Sequence, residues 1–423
     1  MRRLPLALLA GALLPATLLG QLFGPEFAVN TTTASAQVNP AVAGNAAGTF
    51  VVAWTSGVYP VSNVNARRFG SDGAPVGGDF RVNTYSTGLQ YSPAAAMNPA
   101  GEFVIAWNAN EGQSQIWAQR YAGAGAPLGV AFRVDDSADS AYVPRVVYDA
   151  GGRFVVAWHA MPANKIMARR YDGSGAPLGG AFQVNTTAGE RPDVAPTASG
   201  FVVAWSSNFV DPGLQYGRSY ASSGAALGGE FPISTAVGAP GNHVVPRVAG
   251  ETGGGFSAAW VTNVGADGQD VLGRRFDSSA APLGPVFQVE LQPAAPTGNL
   301  ATLDLASDAG GTLLAWTQQV GSRQEIRARQ LPGGEFRVNT YTTGTKGSPA
   351  VAALAPGRFV VVWHSVGQDG SSYGIVGQRV SFARSGDANG DGATNVSDVF
   401  YLINFLFAGG PPPFVLPAPA EAL

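Results

Sequence analysis

The chain has 423 residues, including 57 Gly, 30 Pro and no Cys; 45% are hydrophobic, 13% are charged, and the formal net charge is −3. This balance describes a turn-rich β protein and excludes a disordered chain, while the missing cysteines exclude disulfides, thiol chemistry and a lipoprotein anchor. Without Arg2 and Arg3, 23 basic residues face 28 acidic ones, which leaves no footprint for nucleic acid or an anionic membrane surface.

Residues 1–20 carry two arginines, an apolar run from Leu4 to Leu19 broken by Pro5, Gly11 and Pro15, and a small residue before Gln21. This pattern reads as a secretory signal peptide and places the protein outside the cell or at its surface. The run falls short of the ~20 apolar residues that a membrane span needs, and no later segment is long enough.

From 21 to 382 the sequence repeats. A proline, small apolar residues, a Gly-containing turn and a Phe-Val-Val-Ala-Trp-like run recur seven times, closing at Trp54, Trp107, Trp158, Trp205, Trp260, Trp316 and Trp363. Pro40, Pro93, Pro144, Pro246 and Pro349 lie 14 residues before their tryptophans, Pro192 lies 13 before, and Thr302 takes the place in the sixth copy. Each copy holds four short runs of strand type, in the second copy near 93–96, 103–107, 116–121 and 132–134. A period near 50 residues with four strands per unit predicts propeller blades, each burying its apolar faces on its neighbours. A linear stack of the same units is the alternative.

Phe27-Ala-Val-Asn30 matches the last strand of each copy (Phe80, Phe132, Phe182, Phe231, Phe287, Phe336), and the seventh copy lacks one of its own. The predicted fold is therefore an all-β seven-bladed propeller closed by its N-terminal strand, which would remove open sheet edges. Phe50, Val52 and Trp54 and their equivalents are expected to pack between blades. Arg68, Arg120, Arg170, Arg275 and Arg379 share one strand position, where a bond to backbone or carboxylate inside each blade is expected.

The third-to-fourth-strand turns keep Gly-Ala-Pro-Leu-Gly or close relatives at 125–129, 175–179 and 280–284. The loops between strands two and three (108–115, 206–214, 261–270, 364–373) and between repeats (84–92, 135–143, 234–245, 290–301) vary. In an up-and-down blade these variable loops share one face, which is the expected binding surface for a glycan or protein. Asp135, Asp136, Asp139, Asp211, Asp267, Asp270 and Asp369 fall in them, with His243; His159 and His364 directly follow their tryptophans. Any two of the carboxylates would make an acid and base pair for glycoside hydrolysis if suitably spaced, but no catalytic residue is singled out. Solvated loop side chains are the simpler expectation.

At Gly386 the composition changes. Asp387, Asn389, Asp391, Asn395 and Asp398 stand at loop positions one, three, five, nine and twelve, with Gly392 at six for the turn and the Ala393 carbonyl at seven, a spacing that suits Ca²⁺. A helix is predicted from about Ser397 to Phe407, with Val399, Phe400, Leu402, Ile403, Leu406 and Phe407 too apolar to stand alone in water. This stretch, 383–408, resembles one calcium-loop and helix unit of a type I dockerin, a family that pairs two such units where this chain has one. In that family the positions held by Val396 and Ser397 help to choose a cohesin. The resemblance implies a protein partner for the helix (a cohesin-like domain, a second copy, or the chain's own propeller) and a link to polysaccharide breakdown. Residues 409–423 are Pro-rich and predict an extended tail. The propeller repeats also resemble those of secreted bacterial proteins without an assigned activity, which implies a fold and an export route. Together these features predict a secreted, non-catalytic binding or scaffold protein with a calcium-binding docking unit; the competing expectation is an extracellular carbohydrate-active hydrolase or lyase using the variable face.

Overall fold

The computed structural model describes residues 21–85, 87–207, 214–234, 244–263, 269–290, 302–370, 372–382 and 396–408. It is an all-β, propeller-like array of small antiparallel sheets followed by one helix, Val396–Ala408. In the second repeat the strands are Leu89–Met97, Phe103–Asn110, Ser114–Tyr121 and Phe132–Arg133, hydrogen-bonded in that order. The other repeats follow the same order, and a single parallel bridge, Ser62 to Leu89, joins the sheets of repeats one and two. Strands run further into the variable loops than composition suggests, so that between Asn110 and Ser114 only three residues remain as turn.

The strand Gln21–Ala28 pairs with Tyr373–Ser381, the third strand of repeat seven, with Phe27 opposite Gly377. Phe27 then does for repeats seven and one what other outer-strand phenylalanines do elsewhere. Its ring lies 5.4 Å from Phe69, as Phe80 lies 5.4 Å from Tyr121 and Phe132 lies 5.3 Å from Tyr171. Asn30 completes a second column. In each repeat the polar residue after the outer strand accepts a hydrogen bond from a backbone N–H at the start of the third strand: Asn83 from Val64, Asn185 from Ile166, Asn339 from Ile326, and Asn30 from Ile375.

Apolar clusters straddle each pair of successive repeats, and one joins repeat seven to repeat one through Val29, Val42, Phe50, Val52 and Trp54 against Ala350, Leu354, Val360 and Ile375. The tryptophans at the ends of the repeated runs are buried, as alternation along a strand that faces two neighbours requires. Truncating one to Ala costs roughly 3–5 kcal/mol in a packed core.

The repeated arginines bond outward, not within their own blades. Arg68 donates to the carbonyl of Gly123, Arg120 to those of Gly173 and Ser174, and Arg170 to those of Ser222 and Ser223, all turns of the following repeat. The reason is steric. The turn glycine above each guanidinium has positive φ, and at Gly125 a Cβ would stand 2.5 Å from Arg68, so the side chain seats under the neighbouring turn. Arg275 is the exception and pairs with Glu251 in its own repeat. A second column links the other way: Arg67, Arg169, Arg218 and Arg329 donate to the carbonyls of Val29, Val134, Val184 and Val289 in the preceding outer strand.

Candidate functional site

The fixed proline of each repeat marks a bulge in the innermost strand. Register shifts occur at this point in repeats one to five and seven, and the residue before the proline has positive φ in Asn39, Ser92, Val143, Arg191 and Ser348. Proline is tolerated there because a bulge needs no ladder N–H from it. Repeat six, with Thr302 in place of Pro, shows no such shift. Just beyond the bulge, one residue per repeat pairs with the residue before the tryptophan: Ala41, Ala94, Arg145, Asp193, Arg247, Asp304 and Ala350.

These seven residues line one cavity of about 460 Å³, to which the innermost strand of every repeat contributes. Repeats three to six therefore place Arg, Asp, Arg and Asp around an axial cavity whose remaining side carries alanine. Arg145 Nε lies 3.3 Å from Asp193 Oδ1, and Arg247 Nε lies 3.6 Å from Asp304 Oδ1. Each aspartate's other oxygen accepts a backbone N–H from the next repeat, Val248 to Asp193 and Val351 to Asp304, both at 2.8 Å. Burial first, and then Arg247, pulls the Arg145 guanidinium down to about 10. Burial raises the Asp304 carboxyl to about 6, against the pull of Arg247. Through these contacts the four side chains tie repeats three to seven together, each to the next.

On the variable face, the loops between strands two and three meet the loops between repeats. Gly189 donates to the carbonyl of Asn164, and Gln113 donates to that of Ala138. The regular turns likewise meet one another on the other side, where Gly101 packs against Gly123. The variable face exposes aromatic rings: Tyr59 is 84% exposed, and Tyr85, 54% exposed, stands edge-on to Trp117 with centroids 5.6 Å apart. Trp117, the one tryptophan outside the repeated series, is only partly buried and anchors its indole N–H on Gln115 at 3.1 Å.

The carboxylates expected on this face prove to have separate duties. Asp135 is buried, accepting from the Ile116 N–H at 2.6 Å and pairing with Arg133 at 2.7 Å, so it is the second repeat's member of the Asn column rather than a solvated loop residue. Asp136 is half-exposed and lies 3.4 Å from Arg169; Asp139 is half-buried, its N–H donating to Ser137 Oγ. Asp369 is half-buried beside Gly374. Asp270 belongs to the strand Gln269–Phe276 and hydrogen-bonds the buried Glu290. Burial, then that contact, pushes the Glu290 carboxyl up to about 8, so the pair holds a proton at neutral pH. Two carboxyls in direct contact are too close for either glycosidase geometry, which needs roughly 5 Å or more between them. Glu290 occupies the Asn column and accepts the Val271 N–H, so its proton lets a carboxyl replace an amide.

His159 Nε2 lies 3.1 Å from Asn164 Oδ1, and burial lowers its pKa. Burial brings His364, edge-on to Tyr373, down to about 4. Asp211, His243 and Asp267, and the calcium-loop positions Asp387, Asn389, Asp391, Ala393 and Asn395, lie outside the described residues. Asp398 falls in the first turn of the helix Val396–Ala408, whose Val399, Phe400, Leu406 and Phe407 are exposed. Among the described residues no helix is long and apolar enough to cross a membrane.

No family model matches the chain, and no curated protein does. Solved structures resemble it in fold. A protein of unknown function from Dyadobacter fermentans DSM 18053 aligns over 85% of this chain and 98% of its own, with a TM-score of 0.52 and 10% identity. The polysaccharide lyase Uly1 aligns over 86% and 100%, with a TM-score of 0.52 and 10% identity.

Proposed function

We propose that this protein is an exported, non-catalytic binding propeller, a seven-bladed ring closed by its N-terminal strand, which holds a glycan on its variable-loop face. The observation that carries the reading is the pair of exposed rings Tyr59 and Tyr85 on that face, with the partly buried Trp117 beside Tyr85, since such rings offer flat apolar surfaces with polar tips. Ring closure is supported by Phe27 and Asn30 standing in the columns of the other repeats. The C-terminal unit would bind Ca²⁺ through Asp387, Asn389, Asp391, the Ala393 carbonyl, Asn395 and Asp398, hard oxygen ligands that suit this ion. A helix that starts at Val396, one residue after Asn395, fits that use. The ion would fix the helix, whose exposed apolar residues would dock a protein partner.

The test is a glycan panel with the full chain, read both for retention and for new reducing or unsaturated sugar ends. Retention without new ends supports the reading, whereas turnover replaces it with a carbohydrate-active hydrolase or lyase. Calcium titration of the full chain and of Asp387→Ala with Asp398→Ala tests the second unit, with uptake expected only in the first.

A further inference from the structure

The arginines that line the axial cavity have hydrogen-bonding capacity left over. Both oxygens of Asp193 and of Asp304 already have partners, an arginine and a backbone N–H each. The guanidinium groups are less fully used. Arg145 Nε forms an ion pair with Asp193 and its Nη1 donates to the Pro144 carbonyl, while Arg247 Nε donates to the Leu303 carbonyl and lies 3.6 Å from Asp304 Oδ1, and its buried Nη1 has no protein partner. Each guanidinium carries five N–H donors in a planar fork and no acceptor. The two guanidinium groups therefore carry more donors than protein acceptors take up, while each carboxylate already faces an arginine and a backbone N–H.

We propose that the axial cavity binds a small carboxylate-bearing anion, held by the guanidinium groups of Arg145 and Arg247. A cation would have to displace an arginine from its aspartate, and a neutral ligand would leave the like-charge repulsion between the arginines in place. A carboxylate matches the guanidinium fork with two coplanar acceptors. An anion beside Arg145 would also relieve the like-charge penalty that Arg247 imposes on it. The volume of about 460 Å³ admits an organic acid or one acidic sugar ring. This site stands apart from the variable-face aromatics and does not depend on them.

The experiment is calorimetry and thermal shift on the full chain with malonate and with glucuronate, against glucose and against NaCl of equal ionic strength. One anion per chain is expected, with affinity reduced at least tenfold in Arg247→Gln with Asp304→Asn, a double change that removes one charge pair together and leaves no buried carboxylate unpaired. Should that variant fail to unfold cooperatively, Arg145→Lys keeps the charge but loses the fork and should weaken binding severalfold. Equal binding of malonate and glucuronate identifies a free carboxylate as sufficient, binding of malonate alone a small acid, and binding of glucuronate alone a sugar-borne acid. The proposal is overturned if neither anion binds beyond the NaCl control, if glucose binds and is weakened by the same axial substitutions, or if the folded variants bind the anions like the native chain.

Discussion

Two groups of innermost strands solve one packing problem differently. Repeats seven, one and two place Ala350, Ala41 and Ala94 at the position beyond the bulge, and repeats three to six place Arg145, Asp193, Arg247 and Asp304 there. The alanine half contains the junction of the first and last repeats, where the N-terminal strand supplies main-chain pairing, Phe27 and Asn30. In the charged half, side chains reach from repeat to repeat. Buried charge is an expensive way to join blades, because each ion loses its hydration. Were spacing alone required, alanine would serve in all seven.

The largest effect should come from the alanine half. Deleting residues 21–33 removes the strand paired with Tyr373–Ser381 and leaves an open edge, so cooperative thermal unfolding should be lost or replaced by aggregation. Deleting 386–423 should leave that transition in place. Equal melting of the full and N-truncated chains would break the contrast between the halves.

Within the charged half, Asp304→Ala should destabilise by roughly 3–5 kcal/mol in denaturant titrations, because it leaves Arg247 buried without its carboxylate and the Val351 N–H without its acceptor. A loss below about 1 kcal/mol would mean that the charges do not join the blades. Away from the axis, Glu290 gives a pH-dependent comparison with the Asn column. Its folded pKa, about 8, lies above the ordinary carboxylate value, so the stability it contributes is full at low pH and is lost as pH rises through about 8. Melting temperature should therefore fall between pH 5 and 9 more steeply in the native chain than in Glu290→Gln, and parallel curves would refute the assignment. The smallest effect concerns the bulge. Val143, β-branched at φ 54°, pays the left-handed penalty that Asn39 tolerates in repeat one. Val143→Asn should stabilise by about 1 kcal/mol, against no gain if the bulge is unstrained.

Repetition made the fold legible: a proline and a tryptophan at constant spacing mark an inner bulge and an inter-repeat core, and the outlying Phe27 marks a missing strand. The functional surfaces were harder to read. Arg145, Asp193 and Arg247 directly follow Pro144, Pro192 and Pro246, yet each alone resembles ordinary variation after a proline, and Asp304 stands one residue later relative to Thr302. Only strand pairing brings the four into one row. The acidic cluster misled for the converse reason: Asp135 is adjacent in sequence to Asp136, but alternation turns it into the core as a backbone acceptor. The arginine column was visible, whereas its direction depends on how blades stagger, which a single repeat does not encode.

The most direct measurement takes the glycan retained best in the panel and compares its Kd for the native chain, for Tyr85→Ala with Trp117→Ala, and for Pro127→Ala with Leu128→Ala on the regular face. Stacking on Tyr85 and the partly buried Trp117 beside it predicts at least a tenfold loss in the first variant and native affinity in the second. Native affinity in the first with loss in the second would place binding on the opposite face and contradict the account.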